Sequence, residues 1–445
     1  MLLGLIILVG LLVRVLFTPY SAGSDLAQFH GFAETFIRHG LCFYSYSCSG
    51  NWASEGWPYD WPYVYGPVWM YILGFLAHVT RGGVEASWVR GHYYVYIDPA
   101  WIVAVKTVLI AADTADALIL YFIASRRSRG VTPIAVTALY YLNPMTIYIS
   151  SIYGMFDQLA LFFVLTALAL YSRERLPPFL LGFAASVKQT ALPVLASLLL
   201  QSVKDKRLVR FSAYAAAGLI LPFLPILVSC PTSLIHLLGA VGEAGEPHYT
   251  LPLAYSFNGV SSLATYMHLS SGGSYMWLIR IWPLPFTLLS LYLAIKIVRN
   301  DMHPLVVAAL SYAVFTATYW RINHQYLVPL IALALAALPL LDRRGKILSL
   351  VLVFWIGLWP IAFPTSWWFH VHIRNPNTGM IRFIDRITLM VFDDRFYVAY
   401  SVILTFLQYV FILYAAAKTR TSGEGYLLQD LRNNPAPAAI IKAPR

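Results

Sequence analysis

Charge is what this sequence most conspicuously lacks. Of its 445 residues only 11% are Asp, Glu, Lys or Arg, against 59% that are hydrophobic. Soluble globular chains run at about 25% charged, and one of this length would wrap two or three domains in charged surface. Acid is scarcest: 20 Asp+Glu face 31 Lys+Arg, a net charge of +11. Three cysteines are too few for a disulfide scaffold. No polar segment interleaves aromatic and basic residues, so the basic excess has no nucleic-acid surface to serve. No internal repeat is visible, which leaves the inverted-repeat pattern of many transporters unsupported.

What the sequence does have is long apolar runs and a mean hydropathy of +0.65. These define an all-α polytopic membrane protein. At about 20 apolar residues per crossing, the candidate spans are Met1–Phe17, Trp101–Ala124, Val131–Ile149, Phe156–Tyr171, Leu208–Val228, Met276–Ile297, Leu305–Tyr319, Tyr326–Leu341, Ile347–Phe363 and Tyr397–Ala417. The first has no basic leader or small-residue cleavage site and reads as an uncleaved anchor. Pro178–Ser202 is too short for two full spans, yet basic residues flank it on both sides (Arg173 and Arg175, then Lys204, Lys206 and Arg207). Two short helices meeting at the polar break Lys188–Gln189 satisfy both flanks, and such breaks occur at membrane depth only beside a cavity.

The remaining basic clusters are Arg126, Arg127 and Arg129; Lys296 and Arg299; Arg343, Arg344 and Lys346; Lys418 and Arg420. Placing all of them inside gives cytoplasmic termini and about 12 crossings, by the rule that cytoplasmic loops collect Lys and Arg. That count requires the short run Tyr65–Thr80 to lie on the outer surface as an interfacial helix. The expected organisation is then a transmembrane domain over 1–420 and a polar cytoplasmic tail over 421–445. The large external segments are 18–100 (with two surface helices), 230–275 and 364–396. Cys42 and Cys48 are close enough in sequence to pair if their loop faces an oxidising side, leaving Cys230 over; a pair and three free thiols fit the spacing equally.

The unusual polar groups gather at the outer ends. Asp25 opens an amphipathic helix that Ser24 is suited to cap; it is either a first-turn acid favoured by the helix dipole or a base at the mouth of a cleft. Asp157 and Asp98 are further acids at outer boundaries, where a carboxylate tends to face a cavity or begin a helix. Asp113 and Asp116 share a face within the second span, with Lys106 about two turns outward, and read best as an interhelical lock. Lys188, with Gln189, wants an anion, either a carboxylate or a phosphate. Arg321, Asn323 and His324 form another external cluster. Arg374 and Arg382 lie in the late loop with His370 and His372, which have no third partner at metal-ligand spacing.

The order of these elements resembles the GT-C integral-membrane glycosyltransferases that use a polyprenyl-phosphate sugar. The nearest likeness is to enzymes dependent on dolichyl-phosphate mannose or glucose, from about Met1 to Pro329. YGPVW is similar to the family's Y-x-P-L element, with Tyr65 and Pro67 in place. YGMFD is similar to G-Q-F-D, with Met155 in place of Gln. KQTAL is similar to the Lys-Gln element at a broken helix, and NHQYLVP to H-E-R-Y-L-x-P, with Gln325 in place of Glu. The resemblance implies a hexosyl transfer, most simply of mannose, to an acceptor hydroxyl on the external or luminal face by one inverting displacement. It implies Asp25 as general base and Lys188 and Arg321 as contacts to the donor phosphate. Asp157, Gln189, His324, Tyr65 and Trp61 would line the substrates, with Trp52, Trp57 and Tyr63 as further stacking platforms. It implies no cofactor and no metal. The partners would be a polyprenyl-phosphate sugar, a glycan, glycolipid or glycoprotein acceptor, and membrane lipid. A transporter or lipid flippase, using the intramembrane charges as a path, is the alternative; a non-catalytic subunit of a glycosylation complex is the third.

Overall fold

A computed structural model describes residues 1–418 apart from 81, 90, 129, 251–255, 371 and 392. Arg129, Arg420 and the tail 421–445 therefore lie outside the described residues. The chain is an all-α membrane protein. Among the described residues, six helical segments are long and apolar enough to cross a bilayer: Leu2–Tyr20, Pro99–Arg127, Leu208–Ser229, Met276–Arg299, Arg343–Ala362 and Asp394–Lys418. Shorter apolar helices fill the space between them, at Asp157–Ala169, Leu176–Val187, Pro304–Thr318 and His324–Leu340.

Several boundaries differ from expectation for local reasons. Val131–Ile149 is not one helix. It runs Thr132–Tyr141, breaks at Asn143–Pro144, and continues through Pro144–Ile147 into a π-helical turn, Tyr148–Tyr153. Pro144 lacks the N–H that continuation needs, and Asn143 Oδ1 instead caps the Met145 N–H at 3.0 Å. The break at Lys188 is present as expected. The helix Leu176–Val187 stops at Lys188, a 3-10 turn spans Gln189–Ala191, and Leu192–Lys204 resumes. The first half packs backbone to backbone on Leu208–Ile220, where a Cβ at Gly182 would fall 1.9 Å from the Ala215 carbonyl oxygen. Small residues permit such crossings where apolar burial gives helices no advantage over lipid.

Side-chain contacts tie the basic turns to their neighbours at one end of the bundle. Arg126 Nη1 donates to the Ala169 carbonyl at 3.1 Å, Arg210 pairs with Glu174 at 3.5 Å, and Lys204 pairs with Asp301. Tyr414 donates to Asp342 at 2.7 Å, tying the start of Arg343–Ala362 to the end of Asp394–Lys418.

The segment 18–100 carries the helices Ser24–His39 and Pro67–Val79, the latter being the observed form of the run Tyr65–Thr80. Its 13 residues reach only about 20 Å at 1.5 Å per residue, short of a hydrocarbon core of about 30 Å. A feature absent from the sequence reading is the antiparallel hairpin Val84–Val89 with His92–Ile97, which joins the late loop through the Ile97 N–H to the His372 carbonyl at 3.0 Å. A second is the helix Thr378–Val391, within a segment expected to be loop.

The cysteine pairing also differs from expectation: Cys42 is bonded to Cys230, with Cα atoms 5.3 Å apart, and Cys48 is free. The partner came from 188 residues away, a closeness that only the tertiary fold creates.

Candidate active site

The site begins where the first helix ends. Arg14 is fully buried near the end of Leu2–Phe17. It meets Asp113 through Nη2 at 2.5 Å and Nε at 2.8 Å, and its other donors reach the Tyr141 carbonyl at 2.8 Å and Thr146 Oγ1 at 3.2 Å. Tyr140 donates to Asp113 at 2.8 Å and lies 3.3 Å from Asp116. Asp113 and Asp116 are thus the interhelical lock expected of them. The cation in that lock is Arg14, which the sequence reading passed over; its signal was the only charge in an apolar run, which must find a partner at membrane depth.

Lys106 belongs to a different structure. Its ammonium donates to the Ser21 carbonyl at 2.7 Å, the Ser151 carbonyl at 2.6 Å and the Ile152 carbonyl at 3.0 Å. One side chain therefore clamps the segment leaving the first helix to the π turn. The clamp is reinforced by backbone: Gly23 N–H donates to the Tyr153 carbonyl at 2.9 Å and Ala22 N–H to the Trp368 carbonyl at 2.8 Å. Gly154 then reverses the chain at φ +92, a conformation that glycine adopts without penalty.

The clamp sets Asp25 against Tyr153. Asp25 sits in the first turn of Ser24–His39, whose cap position is Gly23 rather than the expected Ser24. Tyr153 donates a hydrogen bond to Asp25 Oδ2. Asp25 is half-buried. Burial raises its pKa above the ordinary carboxylate value, while the Tyr153 hydrogen bond and then the fields of Lys188 and Arg321 pull it down. Tyr153 was not singled out from the sequence; its only signal was its place beside Gly154 in YGMFD.

Behind Tyr153 stands His324, buried, with ring centroids 4.3 Å apart at 83°. Trp368 packs edge-on to Tyr153 at 4.9 Å. Deeper still, Lys188 Nζ pairs with Asp157 Oδ2 at 2.7 Å, and neither side chain has any exposure. Their surroundings are aromatic: Lys188 Nζ lies 4.6 Å from the Phe156 ring centre, 5.2 Å from Tyr65 and 5.3 Å from Tyr326. Of the two anions that Lys188 was expected to want, the protein itself supplies the carboxylate. Arg321 is half-buried and makes no hydrogen bond or salt bridge among the described residues, while its charge is felt at Asp25 and Tyr326.

Asp25, Lys188, Asp157, Tyr65, Arg321 and His324, drawn from segments far apart in the chain, thus converge. Gln189 is half-buried in the 3-10 turn and makes no side-chain hydrogen bond among the described residues. Trp61 is 43% exposed, stacks on Tyr59 at 4.7 Å and 15°, and is tied to the Asp25 helix because Gln28 donates to its carbonyl at 2.9 Å. Trp57 and Tyr63 are not stacking platforms. Both are buried, Trp57 donating to Thr35 at 2.9 Å and Tyr63 to the Gly66 carbonyl at 2.8 Å. Trp52 remains exposed. Asp98 caps the helix Pro99–Arg127 through the Ala100 N–H at 2.8 Å, the plain role foreseen for it. Among the described residues no three His, Cys, Asp or Glu side chains gather as a metal set.

Beside this cluster opens a cavity of about 210 Å³, lined among others by Phe17, Tyr148, His324, Trp359, Phe363 and Trp368. Tyr153 packs on two of its lining residues, His324 and Trp368, while its hydroxyl donates to Asp25.

The family model for glycosyltransferase family 87 matches residues 63–320, more than half of the chain, and the protein belongs to that family. It is a multi-pass membrane glycosyltransferase. The match begins after Asp25 and ends just before Arg321. No curated protein matches the chain.

Proposed function

We propose that this protein transfers a hexose, with mannose the first candidate, from a polyprenyl-phosphate donor to an acceptor hydroxyl on the external or luminal face. The observation that carries the reading is a half-buried carboxylate, Asp25, held by Tyr153 next to an apolar aromatic cavity and within the field of Arg321. An aromatic cavity suits a prenyl chain, and one with no Asp, Glu, Lys or Arg lining it among the described residues gives a nucleotide diphosphate little to hold.

In the proposed step Asp25 accepts the proton of the acceptor hydroxyl. The hydroxyl oxygen forms a bond to the anomeric carbon from one face as the bond to the phosphate oxygen breaks on the other. The configuration inverts, and the lipid phosphate leaves with the electron pair. Arg321 is the first candidate to meet that phosphate because its guanidinium is not committed to a carboxylate. Lys188 contributes its field from behind Asp157 and becomes a direct contact only if the pair opens. Positioned cations of this kind stabilise developing charge most where water is excluded. His324 and Tyr65 form the wall beside the sugar, Asp157 holds Lys188, and Gln189 stands at the break. The exposed face of Trp61 is the acceptor platform.

The same reading puts the basic end of the bundle in the cytoplasm, with both termini there and about 12 crossings. The helices Ser24–His39 and Pro67–Val79 then lie at the outer surface. No metal or cofactor is needed, because side-chain cations carry the charge of the leaving group. Purified protein in liposomes, offered radiolabelled polyprenyl-phosphate mannose, polyprenyl-phosphate glucose and nucleotide sugars in separate reactions, is the test. Transfer from a lipid donor that persists in EDTA is expected. Transfer from a nucleotide sugar alone would overturn the donor assignment, and counterflow of lipid without covalent product would favour a flippase.

A further inference from the structure

The helix Thr378–Val391 has no role in the chemistry above, and its two outward faces differ. At about 100° per residue, Phe383 and Met390 fall on nearly the same line; they are 66% and 84% exposed. Leu389, 85% exposed, ends an adjacent line, on which Arg382 and Arg386 also fall. Both are exposed, and neither makes a hydrogen bond or ion pair among the described residues. The opposite side is committed to the protein. Asp385 is bonded to Ser366, Thr388 donates to the Pro364 carbonyl at 2.5 Å, and Ile384 lines the aromatic cavity. The chain passes almost directly from this helix into the membrane-crossing helix Asp394–Lys418, which holds it at the level of the bilayer surface.

An apolar line beside a basic line on one short helix at that level is the pattern of a helix lying in a bilayer interface. We infer that Thr378–Val391 docks on anionic phospholipid, with Phe383 and Met390 among the upper acyl chains and Arg382 and Arg386 on the phosphates. The acids nearby do not cancel this charge: Asp385 faces inward onto Ser366, and Asp393 and Asp394 lie beyond the end of the helix, at the start of Asp394–Lys418, where Asp393 accepts from the Arg395 backbone N–H at 2.7 Å. Lipid contact would then brace one wall of the cavity, because Asp385 and Thr388 hold the Pro364–Ser366 segment that leads to Trp368. The inference about the helix stands without the donor assignment; only its bracing of the cavity rests on that reading.

The test is a nitroxide placed at Phe383→Cys or Met390→Cys in a Cys48→Ser background, which leaves the Cys42–Cys230 pair intact. The full chain is reconstituted in nanodiscs of phosphatidylcholine alone or with phosphatidylglycerol. Oxygen should relax both labels more than aqueous nickel chelate does, and phosphatidylglycerol should increase the difference. Arg382→Gln with Arg386→Gln should remove that increase, at roughly fivefold in the docking equilibrium per arginine, the ~1 kcal/mol that an anionic leaflet gives a basic side chain. Labels open to the nickel chelate in both lipids would overturn the docking. Labels equally lipid-buried in both lipids, with or without the arginines, would overturn the anionic preference. Neither readout involves sugar transfer, so neither outcome depends on the proposed reaction.

Discussion

Replacing Lys188 with Met removes the charge facing Asp157 while keeping most of the side chain's length. The pair is fully buried at 2.7 Å, and among the described residues Lys188 is the only side chain that donates to Asp157 and the second carboxylate oxygen has no partner. At an effective dielectric near 20, contact at that distance is worth about 6 kcal/mol before desolvation is subtracted. Measured losses on breaking a buried pair are ~3–5 kcal/mol. The lower end applies here, because Asp157 begins the helix Asp157–Ala169 and its dipole returns about 0.3–1 kcal/mol. A loss near ~3 kcal/mol corresponds to about 100-fold or more in unfolding rate where it falls on the unfolding barrier. The double variant Lys188→Met with Asp157→Asn leaves no orphan charge and should recover most of that loss. It should remain impaired in sugar transfer, since the field that Lys188 adds at the leaving phosphate is still missing. The assay is the unfolding rate of detergent-solubilised protein at fixed temperature, run beside transfer activity. A single variant that unfolds within about threefold of wild type refutes the energetic argument, and a double variant with full transfer activity refutes the part given to Lys188 in catalysis.

Tyr153→Phe removes the hydrogen bond that lowers the Asp25 pKa, a pKa already raised by burial. A base works only when deprotonated, so the acid limb of the pH–rate profile should move to higher pH, and an unmoved limb would exclude Tyr153 from tuning the base. Alkylation of native protein followed by mass measurement should tag Cys48 alone, with Cys42 and Cys230 tagged only after reduction; tagging of Cys230 without reductant would contradict the pairing. Gly66→Ala would bring a Cβ within 1.7 Å of the Ser186 carbonyl oxygen. Backbone has no rotamer with which to yield, so folded yield and thermal stability should both fall, and a wild-type melting curve would show that the aromatic loop is not seated on the broken helix as described.

The membrane class, the six helices long enough to cross a bilayer and the Lys188 break were legible in the sequence, because hydropathy and the positions of scarce charges are local properties of the chain. Asp113 and Asp116 were legible as a lock, yet their partner Arg14 was not, since periodicity does not say which two helices are neighbours. The same limit hid Tyr153, whose part depends on a π turn and on a clamp from Lys106. Pairing of Cys42 with Cys230 rather than Cys48 is likewise a tertiary fact. Trp57 and Tyr63 misled because an aromatic residue in a polar loop reads as exposed, whereas this loop has a core of its own, with Trp57, Tyr63 and Phe32 packed edge to face. The hairpin Val84–Ile97 had a signal, the alternation in HYYVYI, that was overshadowed by the aromatic density of its surroundings.

The proposed transfer turns on Asp25 taking a proton from the acceptor. The direct measurement is the single-turnover rate of transfer from radiolabelled polyprenyl-phosphate mannose by wild type and Asp25→Asn, with donor binding measured on the same preparations. General-base catalysis contributes about 100- to 10,000-fold, so a fall of that size with donor binding retained is expected. A rate within about threefold of wild type would contradict it.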